Sequence, residues 1–389
     1  MSTLQKELSP AGLGSLLGRG LASLDLTPVE HERVVSRYEA LGAVLDEHWT
    51  ATRGNDAMAP QGSFLLGTVV RNIHRNDDVD IDAVACRDLD KHSTTQADLK
   101  TDVGHAAAKY ARRSSSGRPR LLEWERCWTL VWPGMHLDVL PALPDPSSYS
   151  GGLLITDRNV RNWLKSNPSG YASWFRSRMR DELRAERELV AKAERLEIEE
   201  VPEYLVKTAL QQTVQALKRH RDIYFTNRLD QRPSSIVITT LAALAYEGGE
   251  DLYDILRRTT SAMGQHLRRE NGVWLLPNPS QPEENFVDSW VTQPAAPARL
   301  FEWIEAASRD FDDLGARAGI HNQLPLLSGA FGTKVAEHAA TSLGTSLTGA
   351  RARGDLSVTA GAALSIAGVR PGSGDQRVRQ HGFAGGRPN

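Results

Sequence analysis

Acidic residues spaced two apart in an apolar run point to metal-assisted chemistry. In Asp78-Val79-Asp80-Ile81-Asp82-Ala83-Val84-Ala85 the acids alternate with aliphatic residues. Strand side chains repeat every second residue, so Asp80 and Asp82 leave the same face. Two carboxylates aimed at one point repel each other, and a cation between them relieves the repulsion. Hard oxygen donors at a site that also takes phosphate oxygens favour Mg²⁺. Upstream, Gln61-Gly62-Ser63-Phe64 supplies a phosphate cradle: the Gly lets backbone approach an anion, and the Ser offers a hydroxyl and a backbone N–H. A third acid, Asp138, stands in a second apolar stretch, Met135-His136-Leu137-Asp138-Val139-Leu140-Pro141. A lone Asp-x-Asp or Gly-Ser is an ordinary strand or turn feature. Their order and spacing together predict an active site for phosphoryl-type transfer, with Asp80, Asp82 and Asp138 as catalytic residues and metal ligands.

These residues resemble the DNA polymerase β-like nucleotidyltransferase superfamily. Within it the similarity is to the bacterial cGAS/DncV-like nucleotidyltransferases (CD-NTases) of CBASS anti-phage signalling. Asn167-Pro168-Ser169-Gly170-Tyr171, Leu217-Lys218-Arg219-His220-Arg221-Asp222, Ser234-Ser235-Ile236, Pro277-Asn278-Pro279 and Glu284-Asn285-Phe286 continue it in the family's order. The resemblance implies a bilobed α+β fold. A polymerase β-like core of mixed β-sheet carries a long N-terminal helix, and a helical C-terminal lobe closes the active-site cleft. It also implies a pyrophosphate-releasing nucleotidyltransferase that makes a cyclic di- or trinucleotide second messenger, with nucleoside triphosphates as donor and acceptor. Two Mg²⁺ ions, replaceable by Mn²⁺, would sit on Asp80, Asp82 and Asp138. Gln61, Gly62 and Ser63 would bind the donor nucleotide. Lys218 would reach its β- and γ-phosphates, with Ser234 or Ser235 at the start of the next helix; Ser235, abutting the apolar run, is preferred. The family's spacing from the Gly-Ser turn favours Asp80 and Asp82 over Asp77 and Asp78. The alternatives are a template-independent nucleotidyltransferase acting on tRNA or a small molecule, and a catalytically inactive nucleotide-binding scaffold.

Positioning these groups requires flanking elements. Thr27-Pro28-Val29-Glu30 has the pattern of a capped helix start, and Val34, Tyr38, Leu41, Leu45 and Trp49 recur at helical spacing to about Ala51. Residues 93–112 predict a second helix, followed by two strands, 121–132 and 135–140, joined at Pro133-Gly134. Residues 176–200 predict a solvated helix with a narrow apolar stripe, 204–225 a helix with Val206, Leu210, Val214, Leu217 and Tyr224 on its apolar side and His220 beside Lys218 in solvent, and 236–246 a helix buried nearly all round. The expected division is a nucleotidyltransferase core over 1–165, a helical lobe over 166–344, and a flexible Gly/Ala/Arg-rich tail over 345–389.

At 389 residues and 40% hydrophobic content the chain can bury two cores. A net charge of −2 argues against a strong global nucleic-acid-binding surface. Cys86 and Cys127 have no zinc spacing and read as core thiols. No long apolar run or leader pattern stands out, so a cytoplasmic protein with no membrane partner is expected. The tail carries His381-Gly382-Phe383-Ala384-Gly385-Gly386 before Arg387-Pro388-Asn389, and a regulatory or conjugating protein is its expected partner.

Overall fold

The computed structural model describes residues 12–49, 57–73, 78–114, 117–148, 151–156, 163–317, 319–358, 364–366 and 376–378. A short helix, α1 (Leu13–Leu21), precedes the predicted long one, α2 (Pro28–His48). Thr27 and Glu30 form a reciprocal capping box at its start, with Glu30 N donating to Thr27 Oγ1 at 3.3 Å and Thr27 N to Glu30 Oε2 at 2.8 Å. Such a cap contributes about 1 kcal/mol.

The sheet follows. Its strands are β1 (Met58–Gln61), β2 (Val79–Cys86), β3 (Arg120–Glu123), β4 (Trp128–Trp132), β5 (Met135–Pro144), β6 (Leu153–Ile155) and β7 (Leu164–Ser166). The order β1-β2-β5-β4-β3, with β6 and β7 added beyond β5, makes a mixed sheet: β2 and β5 are parallel and the other pairs antiparallel. Between β1 and β2 lies a single-turn helix, α3 (Gly62–Leu66), and between β2 and β3 lies α4 (Gln96–Arg113). Val79, Ile81, Ala83 and Ala85 of β2 and Leu137 and Val139 of β5 pack on Val34, Leu41 and Leu45 of α2 and on Val103 and Ala106 of α4. The intervening side chains of both strands therefore face the cleft.

A separate helical core is built from α5 (Pro168–Ser177), α6 (Arg180–Glu194), α7 (Ala209–Tyr224), α8 (Ser235–Ala245), α9 (Leu252–Ala262), α10 (Ala296–Ala316), α11 (Ile320–Phe331) and α12 (Thr333–Arg353). Phe175, Leu217, Ile238, Trp303, Phe311 and Phe331 are fully buried in it.

Several expectations need correction. The segment 121–132 is two strands, because Trp124 N bonds Cys127 O at 3.0 Å and turns the chain. The helix expected over 176–200 breaks at Arg178-Met179 and ends at Arg195, which is left-handed. The helix expected from Tyr204 begins only at Ala209, where Thr208 and Gln211 form its capping box. α1 joins the helical core through Leu16, Leu17 and Leu21 rather than the sheet lobe. Position 345 falls inside α12, whose Leu343 and Ala350 are buried. Arg19 Nη1 donates to Ser342 Oγ at 3.0 Å and Ser346 Oγ at 2.8 Å, and Gly20 makes the approach of the two helices feasible: a Cβ there would lie 2.9 Å from Val335 Cγ1. A further strand, Leu356–Val358, pairs with two short segments, Leu364–Ile366 and Gln376–Arg377. Residues 379–389, with the Gly-rich end, lie outside the described residues, as does Asp77.

Candidate active site

Strand register brings the acids together. In the parallel β2–β5 pair Asp82 stands opposite Asp138, and Asp80 opposite His136. Neighbouring strands lie about 4.8 Å apart, so the Asp82 and Asp138 carboxylates emerge side by side. Across the antiparallel β1–β2 pair Gln61 stands opposite Asp82. Each outer acid has a polar neighbour: Thr129 Oγ1 donates to Asp138 Oδ1, and Asn72 Nδ2 donates to Asp80 Oδ2 at 3.3 Å. His136 Nε2 lies 3.2 Å from Asp78 Oδ2, so both residues are structural partners of one another.

Gly62 closes in on Asp82. Its φ is +61°, and a Cβ would lie 2.4 Å from Asp82 Oδ2. Both the left-handed backbone and the close approach require glycine. Ser63 follows at the cleft. Burial pushes the Asp82 carboxyl up to about 6, and the charges of Asp138 and then Asp80 add to the effect, opposed by Lys218.

The facing wall is α7, buried almost throughout although its residues 218–222 are Lys-Arg-His-Arg-Asp. One reason is a seam of hydrogen bonds to the segment after α3. Lys207 Nζ donates to Gly67 O (2.8 Å), Gln211 Nε2 to Leu66 O (2.9 Å), Gln215 Nε2 to Val69 O (2.8 Å), Lys218 Nζ to Thr68 O (2.8 Å) and Arg219 Nη2 to Arg71 O (2.9 Å). Carbonyls with no strand partner are thus satisfied by side chains of the other lobe. Lys218 is pulled down to about 8, first by burial, then by Arg221, with Asp222, Asp82 and Asp80 pulling the other way. His220, expected in solvent, is buried: Trp303 Nε1 donates to its Nδ1 at 3.0 Å and its Nε2 lies 2.9 Å from Asp310 Oδ2.

Between the walls is a cavity of about 280 Å³, bordered by Gly62, Ser63, Asp80, Asp82, Lys218 and Ser235. A larger one, about 430 Å³, lies beyond α3 against Phe64, Met179 and Tyr204 and includes none of the three acids. The first cavity joins a carboxylate wall to a cationic wall, the arrangement a metal-bound polyphosphate needs. Its hard oxygen donors fit a divalent cation such as Mg²⁺. Among the described residues, no three acidic, imidazole or thiol side chains converge tightly enough to enclose a cation, in keeping with mutual repulsion of the carboxylates and with Asp80 and Asp138 turned to Asn72 and Thr129.

Comparison with known proteins decides the family. A model described as the Second Messenger Oligonucleotide or Dinucleotide Synthetase domain matches residues 19–178. The chain is 30% identical over 325 residues to the c-di-GMP synthase of Roseivirga ehrenbergii, covering 82% of this chain and 84% of that one. The chain belongs to the CD-NTase family. This CD-NTase is also 25% identical over 300 residues to the cyclic dinucleotide synthase CdnG of Bradyrhizobium diazoefficiens, covering 72% of this chain and 70% of CdnG. Its fold matches the structure of CdnG in complex with GTP with a TM-score of 0.66 and 22% identity, over 85% of this chain and 98% of CdnG. It matches Vibrio cholerae DncV, a cyclic AMP-GMP synthase, in complex with nonhydrolyzable GTP with a TM-score of 0.58 and 14% identity, over 81% and 94% of the two chains.

In this CD-NTase the residues singled out from sequence divide into three groups. Gly62, Ser63, Asp80, Asp82, Lys218 and Ser235 border one cavity. Asp138 stands beside Asp82 on the parallel strand, and Gln61 opposite Asp82 on β1, and neither borders that cavity. Ser234 is the N-cap of α8 and makes no side-chain cap bond, whereas Ser235 Oγ accepts from Arg221 Nη1 at 3.0 Å. Sequence reasoning missed Asn72, Thr129, Arg221, Asp222 and Arg232. For Arg221 and Asp222 the signal was present, two charged residues one turn beyond Lys218; for Asn72 and Thr129 there was none, since register alone places them.

Proposed function

We propose that this CD-NTase joins nucleoside triphosphates into a cyclic di- or trinucleotide second messenger in anti-phage signalling. The observation that carries the reading is that Asp80 and Asp82 face Lys218 across one cavity, with Asp138 in register with Asp82 on the parallel strand β5. Asp80, Asp82 and Asp138 would hold two Mg²⁺ ions, which when bound neutralise the triphosphate and favour ionisation of the acceptor hydroxyl. The 2′- or 3′-oxygen of the acceptor attacks the α-phosphorus of the donor, the α-phosphorus to bridging-oxygen bond breaks, and pyrophosphate leaves. A further transfer of the same kind closes the ring. Gly62 and Ser63 hold the donor phosphates close to Asp82, and Ser235 lines their path. Lys218 supplies positive charge from the opposite wall, where the low dielectric strengthens its attraction to phosphate oxygens. Asn72 and Thr129 orient the Asp80 and Asp138 carboxylates. The lobes together keep bulk water from the reacting phosphorus. The C-terminal residues beyond α12 are the site for a protein partner.

Incubation with the four ribonucleoside triphosphates and Mg²⁺, followed by phosphatase and chromatography, tests this. A phosphatase-resistant product that is absent from Asp80→Ala/Asp82→Ala is expected. Only linear or acceptor-attached product would overturn cyclisation, and no pyrophosphate release from any triphosphate would overturn the transferase itself.

A further inference from the structure

The cationic wall holds one arginine whose bonding sets it apart from its neighbours. Arg221 is committed to the scaffold: its Nε and Nη2 grip Asp222 Oδ1 at 2.9 and 2.7 Å, and its Nη1 donates to Pro233 O and Ser235 Oγ. Lys218 is buried on Thr68 O. Arg232 differs from both. Its side chain is 37% exposed at the edge of the same cavity, and it reaches Asp222 by a long bond, Nη1 to Oδ1 at 3.4 Å.

Asp222 sits between the two arginines with its side chain only 9% exposed. Because Arg221 holds it by two short bonds, Asp222 keeps a counter-charge when Arg232 departs. Departure therefore leaves no buried charge unpaired, which is the condition for an inexpensive exchange of partners. Position matters as well. Lys218 feels the charges of Arg221 and Asp222 and then those of Asp82 and Asp80, and the neighbours that act on Arg221 are Asp222 and Arg232. Arg221 stands one helical turn beyond Lys218 on α7, bonded to Asp222 and Ser235, and Arg232 reaches the same Asp222, so the two arginines form a second cationic group on this cavity.

We infer that Arg232 reads the terminal phosphate of the donor, exchanging its bond to Asp222 for the γ-phosphate and so selecting triphosphates over diphosphates. The inference rests on the reading of this cavity as the donor site. A guanidinium suits the task because its planar fork takes two phosphate oxygens at once. Asp222 then acts as the resting partner that holds the fork at the mouth until a third phosphate arrives.

The test is titration calorimetry of the full chain with Mg²⁺ and α,β-methylene nucleotides, which bind without turnover. Wild-type protein is compared with Arg232→Ala, Arg232→Lys and Arg232→Gln, each checked for an unchanged melting temperature. Loss of a charge-assisted phosphate contact should weaken the triphosphate by about 10- to 100-fold, with the diphosphate affected less than about threefold and Arg232→Lys retaining part of the difference. Equal loss for both nucleotides, or no loss, overturns the role of Arg232 while leaving the donor site intact. Wild-type protein that binds neither nucleotide overturns the donor-site reading and this inference with it. If Arg232→Ala is poorly folded, the ratio of the two affinities in Arg232→Lys and Arg232→Gln decides the matter.

Discussion

Asp82→Asn should leave the protein more stable and catalytically inert. Asp82 is buried beside Asp80 and Asp138, and its carboxyl is pushed from 3.8 up to about 6. In the unfolded chain the same carboxyl ionises near 4. At lower pH it is protonated in both states and costs nothing. As pH rises from about 4 to about 6 the unfolded state releases its proton while the folded state keeps it, so stability falls; above about 6 the whole penalty stands. A gap of about 2 pH units at 1.36 kcal/mol each gives about 3 kcal/mol at pH 7.5. This is an upper figure, because the new amide also needs partners. For a cooperative unit of 150–250 residues, 1 kcal/mol moves Tm by about 2–4 °C, so a rise of about 5–10 °C is expected. Scanning calorimetry with a chelator present measures it at pH 7.5 and again at pH 4.5, where the difference should shrink sharply. Added Mg²⁺ with a nonhydrolysable triphosphate should raise the wild-type Tm and leave the variant nearly unmoved. A variant that melts at or below the wild type at pH 7.5 refutes the idea that charge crowding makes Asp82 costly.

Gly62→Ala should lower kcat/KM about 100-fold, as a misplaced catalytic group does. The methyl meets Asp82 Oδ2 at 2.4 Å, and the left-handed φ costs about 1–2 kcal/mol, visible as a modest fall in Tm; unchanged turnover would separate Gly62 from the site. For Lys218, whose ammonium is pulled down to about 8, the phosphate-binding cation is lost as pH rises through that value. The kcat/KM profile should therefore fall above about pH 8, and the fall should vanish in Lys218→Arg, whose guanidinium stays charged. Ending the chain after residue 344 cuts α12, removes Ser346 from Arg19 and exposes the ground under Ala350, so Tm should drop by several degrees, while ending it after Gly354 should leave Tm and product formation close to wild type.

What was legible in the sequence followed from local periodicity. Alternation in β2 put Asp80 and Asp82 on one face with Val79 and Ile81 on the other, and Thr27-Pro28-Val29-Glu30 announced the start of α2. The meeting of Asp82 with Asp138, 56 positions apart in sequence, rests on parallel pairing, which periodicity does not encode; only the resemblance anticipated it. α7 was misread for a related reason. Charged residues at 218–222 look like a wet face, but they are buried on distant partners: Lys218 and Arg219 on the carbonyls of Thr68 and Arg71, His220 on Trp303 and Asp310, and Arg221 on Pro233 and Ser235. The start of the tail was misplaced because Gly, Ala, Ser and Thr in α12 suggest low order by composition, whereas small residues are what close packing on Gly20 of α1 requires.

The row of bonds from α7 and Lys207 to the carbonyls of Leu66, Gly67, Thr68, Val69 and Arg71 also fixes the mechanics of the molecule. Spreading the lobes along that line would strip five acceptors of their partners, at about 1 kcal/mol net each. A total of about 5 kcal/mol holds such an opening to about one molecule in several thousand. The line therefore behaves as the spine of a book rather than its fore-edge. On the function proposed above, substrate entry, turning of a linear intermediate and product exit would use the opposite margin, while the donor half of the cleft keeps its shape through every step.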